Sequence, residues 1–396
     1  MDNHGIARVA RTARTDDQRR QDLDKIQRYR ELDDAIRDKT SRGAYDDPAL
    51  FALTSKLLRL NPEYYTIWNV RRRCLTSGLL SKPSPDAHDP ASAGTIPPPL
   101  ASPTAGQSGT TVDTVERDSN PSADVDVLQS ELAFTVPLLL EFPKCYWIWK
   151  YRKWLLEQAI LRLPRSVASK VWEAELALAS KMLARDRRNF HAWGYRRYLV
   201  ARLESAALLG RSLVEDEFAY TTKRIGEDLS NFSAWHNRSR LMLRLLDERD
   251  LDDESRATFL ERELDLVQEA LNVGPEDQSL WYYHRYLMSQ VVGSEAGPTV
   301  APNLKAEQRI SYLEKEAEFI KDLVPDFPET KWPYEALVEY TFALRKLHGG
   351  AGGGGEDNDP IFWLTKLRKL DAMQTGRWNY VERDIQRQLV AGSNEK

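Results

Sequence analysis

The sequence predicts an all-α protein: a right-handed α-α superhelix, a crescent-shaped solenoid in which helical hairpins stack side by side around a continuous core. Three observations carry this. A Trp-centred pattern recurs at intervals of 42 to 46 residues over much of the chain. Its shared positions fall on one face of a helix, and an amphipathic segment precedes nearly every occurrence, with no alternating β pattern between them.

With Trp as position zero, the pattern occurs in "NPEYYTIWNVRRRCL" (Trp68), "FPKCYWIWKYRKWLL" (Trp149), "DRRNFHAWGYRRYLV" (Trp193), "LSNFSAWHNRSRLM" (Trp235) and "GPEDQSLWYYHRYLM" (Trp281). Three positions earlier stand Tyr65, Tyr146, Phe190, Phe232 and Gln278; three later stand Arg71, Arg152, Arg196, Arg238 and His284. Positions six and seven later are apolar or Cys throughout, beginning with Cys74 and Leu75. Spacings of three, four and seven put these residues in one stripe of a 3.6-residue helix. Trp332, in "PETKWPYEALVEY", reads as a degenerate sixth occurrence. Recurrence at one slot is what a shared core demands, so the Trp residues read as packing between hairpins and the Arg residues as covering them or pairing with neighbouring acids, rather than as a platform for nucleic-acid bases.

The elements follow in order. Residues 1–20 read as an N-terminal tail and 21–396 as one superhelical domain. "PALFALTSKLLRL" supplies the first helix of the first repeat, and Asn61-Pro62 reads as N-cap and first residue of the second helix. Residues 81–127, beginning "SKPSPDAHDPASAGTIPPPL", are rich in Pro, Ser, Gly and Thr and read as a disordered insertion between the first and second repeats. Removing about 40 such residues brings the Trp68 to Trp149 distance down to the common period. "SKVWEAELALASKMLAR", "FAYTTKRIGEDL" and "FLERELDLVQEAL" are the first helices ahead of Trp193, Trp235 and Trp281. A Gly-rich loop is expected at 348–358.

Composition narrows the function classes. Of the 396 residues 41% are hydrophobic, including 11 Trp, 16 Tyr and 11 Phe, enough for a large core. A net charge of -4 gives no bulk electrostatic reason for nucleic acid or an anionic membrane as the main partner. With two Cys and no long apolar run, neither a disulfide framework nor stable membrane insertion is expected, and the cytoplasm is the expected compartment. Six His and two Cys show neither CxxC nor HExxH spacing, so no metal or other cofactor is expected on this chain. Cys74 sits where other repeats carry Leu and reads as an inert buried thiol.

Departures from the pattern point to a site. At position −5 Lys144 stands against Glu63, Arg188, Ser230 and Glu276, and at −2 His191 stands against Thr66, Trp147, Ser233 and Ser279. Equivalent slots of stacked repeats lie along one edge, so Lys144, Tyr146 and His191 can converge on one anionic group, and ammonium, phenol and imidazole suit a diphosphate. The plainer reading is ordinary surface residues at helix starts.

These five repeats resemble those of protein prenyltransferase α subunits, over residues 16 to about 390. "NFHAWGYRR", "NFSAWHNRS", "DQSLWYYHR", "KWPYEALVEY", "LRKLDAMQTGRWNY" and the opening "HGIARVARTARTDDQRR" are most similar to the Rab geranylgeranyltransferase, or type II, branch. The resemblance implies an obligate heterodimer with a β subunit that holds the catalytic zinc and the isoprenoid pocket. It implies transfer of geranylgeranyl from its diphosphate to C-terminal cysteines of Rab GTPases presented by a Rab escort protein. The family's "PKxY" Lys and Tyr, which face the diphosphate, match Lys144 and Tyr146 as catalytic residues, and its third-repeat His matches His191. The segment departs from the family in opening Phe142-Pro143 where Asn-Pro is usual. No leucine-rich repeat pattern is present, so the further domains of some type II α subunits are not expected here. Two other readings stay open: the α subunit shared by farnesyltransferase and type I geranylgeranyltransferase, acting on CaaX proteins, and a non-catalytic helical-repeat scaffold. Because the insertion contributes no core, deleting residues 85–120 is expected to leave expression and prenyl transfer unchanged, measured as yield and single-turnover rate of the complex with a β subunit.

Overall fold

A computed structural model describes residues 15–83, 121–293, 299–348 and 359–394, with side chains to 387. All regular structure among them is helical, and they fall into two compact units, Met1–Arg211 and Ser212–Lys396. In the first, α1 (Asp16–Ser41) packs on α2 (Pro48–Leu60), and three hairpins follow. They pair α2 with α3 (Tyr65–Cys74), α4 (Pro121–Glu141) with α5 (Tyr146–Arg162), and α6 (Arg165–Arg185) with α7 (Phe190–Leu203). The second unit pairs α8 (Val214–Glu227) with α9 (Phe232–Glu248), α10 (Asp253–Val273) with α11 (Gln278–Val292), and α12 (Ala306–Leu323) with α13 (Lys331–Leu347), then adds α14 (Pro360–Leu370) and α15 (Thr375–Asn394).

Each second helix begins three residues before its Trp, and the indole N–H donates to the carbonyl six residues back. Trp68 bonds Pro62 O at 2.8 Å, Trp149 bonds Pro143 O at 3.0 Å and Trp193 bonds Arg187 O at 2.9 Å. Trp235 bonds Leu229 O at 2.7 Å and Trp281 bonds Pro275 O at 2.6 Å. All five indoles are buried. The bond satisfies the one polar atom of a buried indole and closes the turn that joins the two helices. Asn61, expected to cap the second helix, instead ends α2; its Oδ1 accepts from Glu63 N–H at 3.1 Å while Pro62 turns its carbonyl to Trp68, so α3 starts later, at Tyr65.

The sixth rung corrects the sequence reading of Trp332. The helix α13 starts at Lys331, and the residue three positions on is Tyr334, buried, whose hydroxyl donates to Pro328 O at 3.0 Å. Tyr334 therefore occupies the Trp slot, and Trp332 sits half-buried with its ring centroid 5.9 Å from that of Tyr282. Register relative to the turn, not indole identity, defines the rung. Trp363 and Trp378 likewise stand three residues after the first residue of α14 and α15, and both are buried.

Between hairpins the position +3 cation reaches into the next repeat. In the first unit Arg71 grips Glu131 of α4 through two bonds of 2.6 Å, and Arg152 grips Glu175 of α6 in the same forked manner. In the second, Arg238 binds Glu263 of α10 at 2.7 and 2.5 Å, and His284 faces Glu316 of α12 at 2.9 Å. A tyrosine twenty residues after the glutamate, Tyr151, Tyr195 or Tyr283, donates to the same carboxylate at 2.6 Å. Its ring also lies against the Trp of the preceding hairpin, with centroids 4.7, 5.1 and 4.5 Å apart. Burial works against the Arg152 guanidinium, but the Glu175 charge and hydrogen bonds outweigh it and the net shift is upward.

Two expected boundaries move. The helix α1 starts at Asp16, inside the segment read as a tail, because Thr15 and Gln18 form a reciprocal capping box. The insertion read as 81–127 is shorter at both ends. Ser81 is buried, its N–H donates to Asp124 Oδ1 at 2.9 Å and its hydroxyl to Oδ2, and Arg162 Nε donates to Ser81 O at 2.8 Å. Asp124 belongs to α4, which begins at Pro121; the polar composition of 121–127 concealed a helix start tied down by tertiary bonds. The remainder of that insertion, 84–120, and the Gly-rich loop from 349 to 358 lie outside the described residues.

Removing one member of a buried ion pair leaves the other charge without solvent or partner. Glu175→Ala should therefore cost about 3–5 kcal/mol, read as a large fall in the denaturant midpoint. Glu215→Ala, which breaks an exposed pair with Arg249, should leave that midpoint nearly unchanged.

Candidate anion site at the starts of the second helices

Because each Trp is pinned to the turn, the side chains at −5, −3 and −2 are held at the start of the second helix. At −3, Tyr65 is 53% exposed, Tyr146 48% and Phe190 76%, so these aromatics lie outside the core although they share its helical spacing. In the first unit they form a run of ring contacts. Tyr65 meets Trp147 at 5.3 Å between centroids, Trp147 meets Tyr146 at 5.2 Å, Tyr146 meets His191 at 6.4 Å and His191 meets Phe190 at 5.8 Å.

The structure thus brings Tyr146 of α5 and half-buried His191 of α7 to one edge, as equivalent slots of neighbouring hairpins require. Lys144, two residues before Tyr146, is exposed and has no hydrogen bond or ion pair among the described residues. The phenol and the imidazole are directional partners, and Lys144 is a cation that pairs with no acid among the described residues, so the edge can accept an anion.

Lys150 belongs to this edge and was not singled out from sequence. One helical turn after Tyr146, its Nζ lies 5.7 Å from the Tyr146 ring centroid. A signal existed: the slot after the Trp holds Asn69, Gly194, His236 and Tyr282 in other repeats, and Lys only here. The turn before α5 lacks a side-chain cap, as does the turn before α3, with Cys145 and Tyr64 at the two N-cap positions. Asn189 of the next hairpin ties the two turns together by donating to Pro143 O at 3.1 Å. The sulfurs take no part: Cys74 and Cys145 are buried, and desolvation pushes both thiols up to about 11.

The family described as "Protein prenyltransferase alpha subunit repeat" matches residues 48–78, 128–159, 172–203, 214–245 and 260–291, one match for each Trp-bearing hairpin described above. Geranylgeranyl transferase type-2 subunit alpha of Schizosaccharomyces pombe is 31% identical over 387 residues, covering 96% of this chain and 98% of that protein. The Dictyostelium discoideum protein of the same name is 31% identical over 386 residues, covering 96% of this chain and all of that one. The chain belongs to the geranylgeranyl transferase type-2 α subunit family. A solved structure, Candida albicans protein geranylgeranyltransferase-I complexed with GGPP, superposes with a TM-score of 0.56 at 17% identity and covers 91% of each chain. That likeness shows the fold, an all-α superhelical array of hairpins. Within this type-2 α subunit family member, the sixth hairpin with Tyr334 lies beyond the matched repeats, in keeping with its altered rung. Among the described residues no helix is long and apolar enough to cross a membrane.

A thiol with a pKa near 11 is almost wholly protonated at pH 8, and the thiolate is the reactive form. Native chain is therefore expected to react with a maleimide or aromatic disulfide at least about 100-fold more slowly than free cysteine, with both thiols becoming reactive on denaturation, as counted by absorbance.

Proposed function

We propose that this chain is the α subunit of a heterodimeric Rab geranylgeranyltransferase, active with a β subunit, that transfers geranylgeranyl from geranylgeranyl diphosphate to C-terminal cysteines of Rab GTPases presented by a Rab escort protein in the cytoplasm. The observation that carries this reading is relationship to type-2 α subunits along nearly the whole chain. The edge where Tyr146 and His191 meet, beside Lys144, supports it with chemistry. A type I or farnesyl assignment has weaker support, since the likeness to a geranylgeranyltransferase-I is 17% identical and carries the fold alone.

In this reading Lys144, Tyr146 and His191 bind the diphosphate of the lipid. Negative charge grows on the bridging oxygen as the bond to the lipid's first carbon breaks. A preplaced ammonium and phenol stabilise that charge more than they tighten the ground state. The His191 ring, held against Tyr146 and Phe190, orients the phenol and adds a donor. Zinc supplies a substrate thiolate at neutral pH. Among the described residues no group of three or more His, Cys, Asp or Glu side chains is placed to hold a metal ion, and in this reading the zinc belongs to the β subunit, as the family resemblance implies.

Lys144→Ala is expected to lower single-turnover transfer by about 100-fold, the scale for losing one preorganised donor to a developing anion, while the heterodimer still elutes as one species in gel filtration. A rate near wild type would remove Lys144 from the reaction. A chain that is monomeric and binds no prenyltransferase β subunit would favour the scaffold reading.

A further inference from the structure

The slot four residues after the Trp is cationic in most repeats: Arg72, Lys153 and Arg197 in the first unit, Arg285 in the second, with Ser239 the exception. Two of these cations, Arg72 and Lys153, lie on aromatic rings of the following hairpin. Arg72 Cζ is 5.7 Å from the Trp154 ring centroid and Lys153 Nζ is 4.5 Å from that of Tyr198. Their treatment differs between the units. Arg285 has acids from its own chain, pairing with Glu339 and lying 3.5 Å from Glu335, both on α13. Among the described residues, Arg72, Lys150 and Lys153 have no ion pair with an acid.

The imbalance is costly because these groups are not fully solvated. Burial lowers the pKa of both Arg72 and Lys153, and the charges acting on Lys153 are two more cations, Lys150 and Arg197. The acid on the same stripe of α5, Glu157, is engaged by Tyr198 and by Arg202 Nε at 3.0 Å. Arg72 lies on α3 and Lys150 and Lys153 on α5, and packed helices lie about 8–10 Å apart, so these cations are spread along two neighbouring second helices. A row of that pitch fits an extended segment carrying several carboxylates. The same helices present the exposed Tyr65, Tyr146 and Phe190, and aromatic side chains beside arginine mark the centre of a protein interface. Lys150 joins this row to the anion site through the Tyr146 ring.

We propose that Arg72, Lys150 and Lys153 form a docking strip for an acidic segment of the β subunit, whose carboxylates supply counter-charge to cations that pair with no acid among the described residues. This rests on the heterodimer assigned above. Assembly is then electrostatically steered: the strip raises the association rate at low salt and sets the register of the partner against the diphosphate edge.

The test uses the full chain and its β subunit, with association followed across a salt series. Arg72→Met with Lys153→Met is expected to weaken the heterodimer at least tenfold at low salt and to flatten the dependence of association rate on ionic strength, and Lys153→Arg should restore most of the single-site loss. Unchanged affinity and salt dependence would overturn the proposal. So would a defect confined to geranylgeranyl diphosphate affinity of the preformed complex, which would assign these cations to the lipid. The variant chain alone should melt no lower than wild type, since Met replaces a desolvated charge; a lower melting temperature would make the cations supports of the core and would also overturn the strip. Failure of the Lys144→Ala experiment would leave this one standing, because it reads turnover in an assembled complex and this reads assembly.

Discussion

A buried carboxylate shared between an arginine of one hairpin and a tyrosine of the next is the constraint on which the hairpin packing depends. Glu131, Glu175 and Glu263 each sit in that position, with the guanidinium forked onto both oxygens in the cases of Arg71, Arg152 and Arg238. Such pairs contribute little net stability, because desolvating two charges offsets most of their attraction. Their effect is on register. A slip of one residue between adjacent hairpins would strand a charge in the core, so the packing that satisfies the fork is strongly preferred over near alternatives. His284 shows the rule surviving substitution: a shorter ring reaches Glu316 on one side and the Tyr340 hydroxyl on the other, both at 2.9 Å.

From that register the functional edge follows. The indole bond back to the turn fixes where each second helix starts, and the buried fork fixes that start relative to its neighbour. Residues at −5 and −2 are thereby lined up without contributing to the core and are free to vary, while exposed aromatics recur beside them at −3. In the first unit this freedom holds Tyr146, Trp147 and His191 in one run of rings. The same helices carry exposed aromatics and cations that pair with no acid among the described residues. A family whose members are subunits fits that description.

Much of this was legible in the sequence because the repeats compare the chain with itself. Five aligned occurrences showed which slots are shared, hence structural, and which hold a single odd residue, such as Lys144 and His191. The same comparison would have exposed Lys150 had the slot after the Trp been read. It failed where one residue type stood for another. The indole of Trp332 looked like a rung, yet Tyr334 holds the place, because what the turn demands is a buried ring with one donor at the fourth helical position. It failed again at 121–127, where polar composition suggested disorder but Asp124 is bound to Ser81 and the helix has already begun.

The sequence by itself determined the hairpin period, the helical faces, the family resemblance and the residue types at the anion edge, since each is a property of spacing along one chain. Only the tertiary structure decided which acid meets which arginine, that the −3 aromatics face outward, and that Lys153 is half-buried among cations. Those outcomes depend on partners more than a helix away in sequence, as with the 60 residues between Arg71 and Glu131, and no local periodicity encodes such a pairing.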